Sequence, residues 1–94
     1  MNYKQNQHYV NKHGQQLKDF MIMKFGKKYY YIWCILNAFK YQARAGKKEG
    51  NSYTKDIVKR DDYLKELKNS EWEHKQTLSA IVNGAKEFEE WKGE

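Results

Sequence analysis

The sequence has no proline, one cysteine and no long apolar run, and each absence excludes a class of protein. Without proline, long helices can continue uninterrupted. The single cysteine, Cys34, excludes an internal disulfide framework and is typical of a reducing compartment. No stretch approaches the roughly 20 apolar residues that a membrane-spanning helix needs. Residues 1–12 are polar, unlike a secretory signal, so we expect a soluble intracellular protein without membrane contact.

Acidic residues are scarce in the first two thirds of the chain. Residues 1–60 hold 13 Lys and Arg against 3 Asp and Glu, whereas residues 61–94 hold 5 against 9. The formal net charge is +6. This asymmetry indicates either a basic working surface with a separate acidic end, or two halves that attract each other within the fold or across a dimer.

Hydrophobic periodicity predicts an all-α fold, a compact bundle of about four helices with a polar N-terminal arm. A chain of 94 residues forms one domain, which we divide into the arm (1–14), a helical core (15–69) and an additional amphipathic C-terminal helix (70–92). The helices are expected at about Gln15–Phe25, Lys28–Ala45, Tyr53–Lys68 and Ser70–Trp91.

Two details of this prediction concern the second and fourth helices. In the second helix the predicted core stripe runs at helical spacing, with Cys34 beside it as a small core residue; its members are Ile32, Ile35, Leu36, Phe39 and Ala43. Ser70 and Glu73 have the spacing of a capping box, so they are expected to begin the fourth helix.

A basic stripe on the second helix is the strongest candidate for a functional site. Asn37, Lys40 and Arg44 are spaced so that one helix face carries all three. Lys47 and Lys48 follow directly in a glycine-bracketed loop. An amide, an ammonium and a guanidinium suit an anionic phosphate or carboxylate. The alternative interpretation is that these cations only complement the negative end of the helix dipole.

Several kinds of site are not predicted. The glycine-bracketed loop lacks the order of a Walker P-loop, and no histidine or cysteine pair has zinc-ligand spacing, so no metal and no catalytic set are assigned. Interleaved tyrosines and lysines could bind nucleic acid, but no helix-turn-helix or RNA-binding signature is present.

The order of certain short motifs resembles the small bacteriophage domain family known as phage nucleotide kinase, whose members are largely proteins of unknown function. The resemblance covers about residues 8–67. Its motifs are His8-Tyr9, Gly14, Asp19, Asn37-x-x-Lys40-Tyr41, Arg44-Ala45-Gly46-Lys47-Lys48, Asp56-Ile57 and Tyr63-Leu64. It implies a phage or prophage origin, the cytoplasm of an infected bacterium as location, and His8 and Asp56 as secondary site positions. Gln16 and Leu36 depart from the family pattern, which favours binding over catalysis.

Three functions are therefore expected, in this order. The first is a small phage accessory protein that binds and modulates, by inhibition, a host bacterial protein such as a replication or defence factor through its basic and aromatic helical surface. The second is a nucleotide-binding or deoxynucleoside-monophosphate kinase-like protein, which alone would require Mg²⁺ with its nucleotide. The third is a non-specific nucleic-acid binder. Phe88, Trp72 and Trp91 offer aromatic surface for a homodimer.

Overall fold

The computed structural model describes residues 14–47, 49–50 and 52–93. These residues form four helices, namely α1 (Leu17–Phe25), α2 (Lys27–Arg44), α3 (Tyr53–Lys65) and α4 (Lys75–Lys92). No β-strand is assigned within these ranges, so the predicted all-α fold is confirmed. The predicted N-terminal arm lies almost entirely outside the described residues.

The long helix α2 lies at the centre, and α1, α3 and α4 all pack against it. Gly26 ends α1 and begins α2 with φ of 93°, a left-handed conformation that glycine adopts at little cost. Because one residue separates the two helices, the chain turns sharply and α1 returns along the first turns of α2. Gly26 lies in the gap between the first two predicted helices.

The buried face of α2 differs from the predicted core stripe. Tyr30, Cys34 and Ala38, four residues apart, are buried, and Cys34 is fully enclosed. Leu36 remains 61% exposed and Ile32 36% exposed, so the predicted core stripe is wrong at these two positions. The reason is that the small side chains of Cys34 and Ala38 let neighbouring helices approach α2 closely. A prediction from periodicity alone favours the face with the largest apolar side chains.

The start of the fourth helix also differs from the prediction. Asn69 adopts φ of 67°, and the chain makes turns until His74 caps α4 by accepting a bond from the Thr77 amide at 3.2 Å. Glu73 accepts a bond from the Asn69 amide at 2.6 Å. It therefore does not close a capping box with Ser70, and the helix begins at Lys75.

A polar network joins α1, α2 and the turn after α3 beside the core. The Tyr30 hydroxyl donates to Glu66 Oε1 at 2.5 Å, and Lys18 Nζ donates to the same oxygen at 3.1 Å. Burial, and then the Glu66 carboxylate, raise the pKa of Tyr30 above its usual value. Burial likewise raises the pKa of the Cys34 thiol to about 11, so Cys34 acts as an inert core residue.

Helix α4 packs closely on α2 at Gly84. A Cβ atom built there would lie 3.0 Å from Cε1 of Phe39 on α2, so glycine permits the contact. Ile81 and Ala85 are buried on the same helix. Trp72, before α4, packs on the core and makes an edge contact with Tyr31, their ring centroids being 6.1 Å apart. Trp72 is therefore not spare aromatic surface for a dimer.

Candidate functional site: a cation cluster around Tyr41

Three cations surround the ring of Tyr41 where α2 and α3 face each other. Arg44 Cζ lies 4.7 Å from the ring centroid, Lys40 Nζ 4.9 Å and Lys59 Nζ 5.4 Å. The electron-rich face of an aromatic ring attracts cations at such distances. We call these four residues the Tyr41 cluster.

Helical spacing on two facing helices builds the Tyr41 cluster. On α2, Lys40 and Arg44 are separated by one turn, with Tyr41 beside them. On α3, Lys59 lies between Asp56 and Tyr63, at intervals of three and four residues. Both helices thus present their members toward the seam between them.

Aromatic contacts fix the position of the Tyr41 ring. Tyr41 stacks on Tyr63 with centroids 5.8 Å apart and an interplanar angle of 15°. Tyr63 meets Trp33 edge-on at 5.4 Å. Offset-stacked and edge-to-face arrangements are the favourable geometries for aromatic pairs. The platform under the cations is therefore built from both helices.

Arg44 is anchored by a buried ion pair. Asp56 is fully buried, and its Oδ1 accepts bonds from Arg44 Nη2 at 2.9 Å and Nε at 3.3 Å. The Arg44 side chain stays 26% exposed. Within the described residues Asp56 Oδ2 has no hydrogen-bond partner, so Arg44 supplies all the compensation that the buried carboxylate receives there. Arg44 thus joins α2 to α3 as well as contributing charge.

The Tyr41 cluster holds more positive than negative charge. Among the described residues, the one carboxylate that pairs with any of its three cations is that of Asp56, which is committed to Arg44. Lys40 is exposed and Lys59 half-buried, and neither makes an ion pair within the described part of the chain. The surplus charge therefore lies on the solvent side of the platform, where it can attract an anion.

The other predicted site residues lie elsewhere. Asn37 donates to the Trp33 carbonyl one turn back on α2, at 2.9 Å. Lys47 pairs with Glu89 on α4 and donates to the Ala43 carbonyl at 3.1 Å. Bonds from Lys47 and Lys92 hold the pKa of Glu89 below its usual value. Lys48 and His8 lie outside the described residues. Of the predicted site, the structure thus brings together Lys40, Arg44 and Asp56.

Sequence reasoning missed Tyr41, Lys59 and Tyr63 as members of one site. Tyr41 directly follows Lys40, and Lys59 is one turn from Asp56, so a signal existed within each helix. Only the pairing of α2 with α3 shows that these turns meet. Among the described residues, no group of three or more His, Cys, Asp or Glu side chains could hold a metal ion.

A family model covers the part of the chain that forms this seam. Residues 3–65 match a family described as "Protein of unknown function (DUF3310)". The chain belongs to this family. That description names no kinase activity, and similar proteins come from phages. A small phage domain family is therefore confirmed, whereas its designation as a nucleotide kinase is not supported.

Curated relatives match the whole chain. The SaV protein of Lactococcus phage p2 is 38% identical over 101 residues, and the SaV protein of Lactococcus phage SK1 is 37% identical over 101 residues. Each alignment covers 100% of this chain and 79% of the relative. The family match ends at the last residue of α3, so α4 is shared with these relatives but lies beyond the family model. No solved structure matches the chain.

No helix in the described ranges has the combination of length and apolar character that crossing a bilayer requires.

Proposed function

We propose that this member of the family is a phage accessory protein that binds an acidic surface of a host bacterial protein through the Tyr41 cluster and inhibits that protein in the host cytoplasm. One observation carries the proposal: three cations share one aromatic platform, and the one described carboxylate that pairs with them is buried and committed to Arg44. Lys40 and Lys59 are left to meet external carboxylates.

The surroundings of the Tyr41 cluster support a protein partner. Tyr41, Tyr63 and Arg44 lie together in and beside the cluster. Tryptophan, tyrosine and arginine are the residues most enriched where protein interfaces gain their affinity. Charges around such anchors speed association and select partners of opposite sign. The expected partner surface is therefore acidic, with an apolar centre.

Charge reversal within the Tyr41 cluster tests this proposal. The bait carrying Lys40→Glu with Lys59→Glu should lose a host protein that the wild-type chain captures from a lactococcal lysate at physiological salt. The matched control, Lys75→Glu with Lys86→Glu, changes net charge equally on exposed α4 positions and should retain it. We expect the purified partner to bind the cluster variant at least about tenfold more weakly. Equal binding by both variants, or no specific partner, would contradict the proposal.

Arg44→Ala and removal of α4 are poor controls for this experiment. Arg44 compensates a buried carboxylate, and α4 buries Ile81 and Ala85 against the rest of the fold. Either change would alter folding as well as binding, so loss of the partner would have two causes.

A nucleotide is the second candidate ligand, because a phosphate also fits clustered cations beside an aromatic platform. Titration calorimetry with deoxynucleoside monophosphates and Mg²⁺ distinguishes it from the first. Heat of binding with the wild type, lost on Lys59→Ala and kept on Lys75→Ala, would favour the nucleotide. We expect no heat of binding with the wild type or with either variant.

A further inference from the structure

A second surface, on α2 beside the Tyr41 cluster, carries exposed apolar side chains. Tyr29, Trp33 and Leu36 share one face of the helix and are 68%, 40% and 61% exposed. We call these three residues the α2 stripe. Monomeric proteins seldom leave contiguous large apolar side chains in water, so the α2 stripe indicates a contact with another chain.

The α2 stripe continues into an apolar groove between α1 and α2. The groove encloses about 220 Å³ and is lined by Met21, Phe25, Tyr29, Tyr30 and Trp33. The neighbouring lysines of this region, Lys24, Lys27 and Lys28, are exposed and make no ion pair within the described ranges. We call this the α1–α2 groove. Its chemistry fits an apolar side chain flanked by carboxylates.

The C-terminal end of α4 has the complementary chemistry. Trp91 is 69% exposed and stacks on Phe88. Glu87 and Glu90 flank it, are exposed, and make no ion pair in the described part of the chain. Glu89, by contrast, is held by Lys47 and Lys92. Trp91 with Glu87 and Glu90 beside it thus matches the apolar lining and the basic rim of the α1–α2 groove.

Trp91 cannot fill the groove of its own chain. The Lys47–Glu89 pair places the end of α4 beside the C-terminal end of α2, whereas the α1–α2 groove lies at the N-terminal end. The 18 residues of α2 separate these ends by about 27 Å. A second copy with its α2 antiparallel to the first removes this separation, because the end of its α4 then lies at the level of the groove along α2.

We propose that the chain forms a two-fold dimer in which Trp91 of each copy occupies the α1–α2 groove of the other. The two-fold relation satisfies both grooves at once and closes the assembly. Leu36, near the middle of α2, packs on the same residue of the second copy. Glu87 and Glu90 of one copy face Lys27 and Lys28 of the other.

Sedimentation equilibrium with compensating charge changes tests this dimer. Wild type should sediment as a dimer, and Trp91→Ala should raise its dissociation constant by about tenfold or more. Reversing Glu87 and Glu90 to lysine, or Lys27 and Lys28 to glutamate, should weaken the dimer, whereas combining all four changes in one chain should restore it. These reversals place acids in the first turn of α2 and bases near the end of α4, where the helix dipoles favour them, so folding is retained.

The control variant is Val58→Glu, an exposed position on the outer side of α3, which should leave the dimer intact. A monomer at every loading concentration would overturn the proposal and leave the groove to another kind of occupant, such as an acidic helix of a host protein. A dimer insensitive to Trp91→Ala, or weakened charge variants that the fourfold combination fails to rescue, would overturn it equally.

Discussion

Replacing Arg44 with alanine should lower the free energy of unfolding by about 3–5 kcal/mol, the usual cost of stranding a buried charge. Asp56 is fully buried and receives bonds only from Arg44 among the described side chains. Without the guanidinium, the carboxylate loses the only charge compensation that the described residues provide. Urea denaturation of the two proteins measures the difference.

Removing the other partner of the pair, Asp56, should lower the free energy of unfolding by less. In Asp56→Ala the remaining Arg44 side chain is already 26% exposed and can turn toward water. The double variant should therefore be more stable than Arg44→Ala alone. Lys92→Ala, which breaks a solvent-exposed pair to Glu89 at 2.6 Å, serves as the control and should lower the free energy of unfolding far less than Arg44→Ala. An Asp56→Ala variant less stable than Arg44→Ala would contradict this asymmetry.

Truncating Leu67 to alanine should destabilise the fold by about 2–5 kcal/mol, because it opens a cavity in the core. Leu67 is 2% exposed and belongs to the same buried cluster as Tyr30 and Cys34. Leu67 lies in the turns that follow α3, so it is buried although it is not part of a helix. Thermal or urea unfolding checks the loss.

The matched variant for Leu67→Ala is Val58→Ala, an apolar truncation on α3 at a side chain that is 42% exposed. It should change the free energy of unfolding by no more than about 1 kcal/mol. Comparable losses at the two positions would mean that Leu67 is not part of the core.

Periodicity was sufficient to predict four helices and the break after Phe25, because it depends on neighbouring residues. The buried face of α2 was not predictable in this way. Leu36 is as apolar as a core residue, yet it is exposed because the helices pack on the face of Cys34 and Ala38. Which face is buried depends on the neighbouring helices, and a single helical stripe does not contain that information.

The candidate site shows the same difference between features set within one helix and features set by helix packing. Lys40 and Arg44 lie on one helix, so spacing alone placed them together. The contacts of Lys59 with the Tyr41 ring and of Asp56 with Arg44 join α3 to α2, and they require the packing of the two helices. For the same reason the pairing of Lys47 with Glu89 on α4 was not foreseen.

The central claim is that the Tyr41 cluster, and not the basic half of the chain in general, recognises acidic protein surface. An NMR titration with a peptide rich in glutamate and aspartate measures this directly. The largest shifts should occur at the Tyr41 ring and the side chains of Lys40 and Lys59, and they should diminish on Lys59→Ala but not on Lys75→Ala. Shifts spread evenly over all exposed lysines, or absent from these three residues, would contradict it.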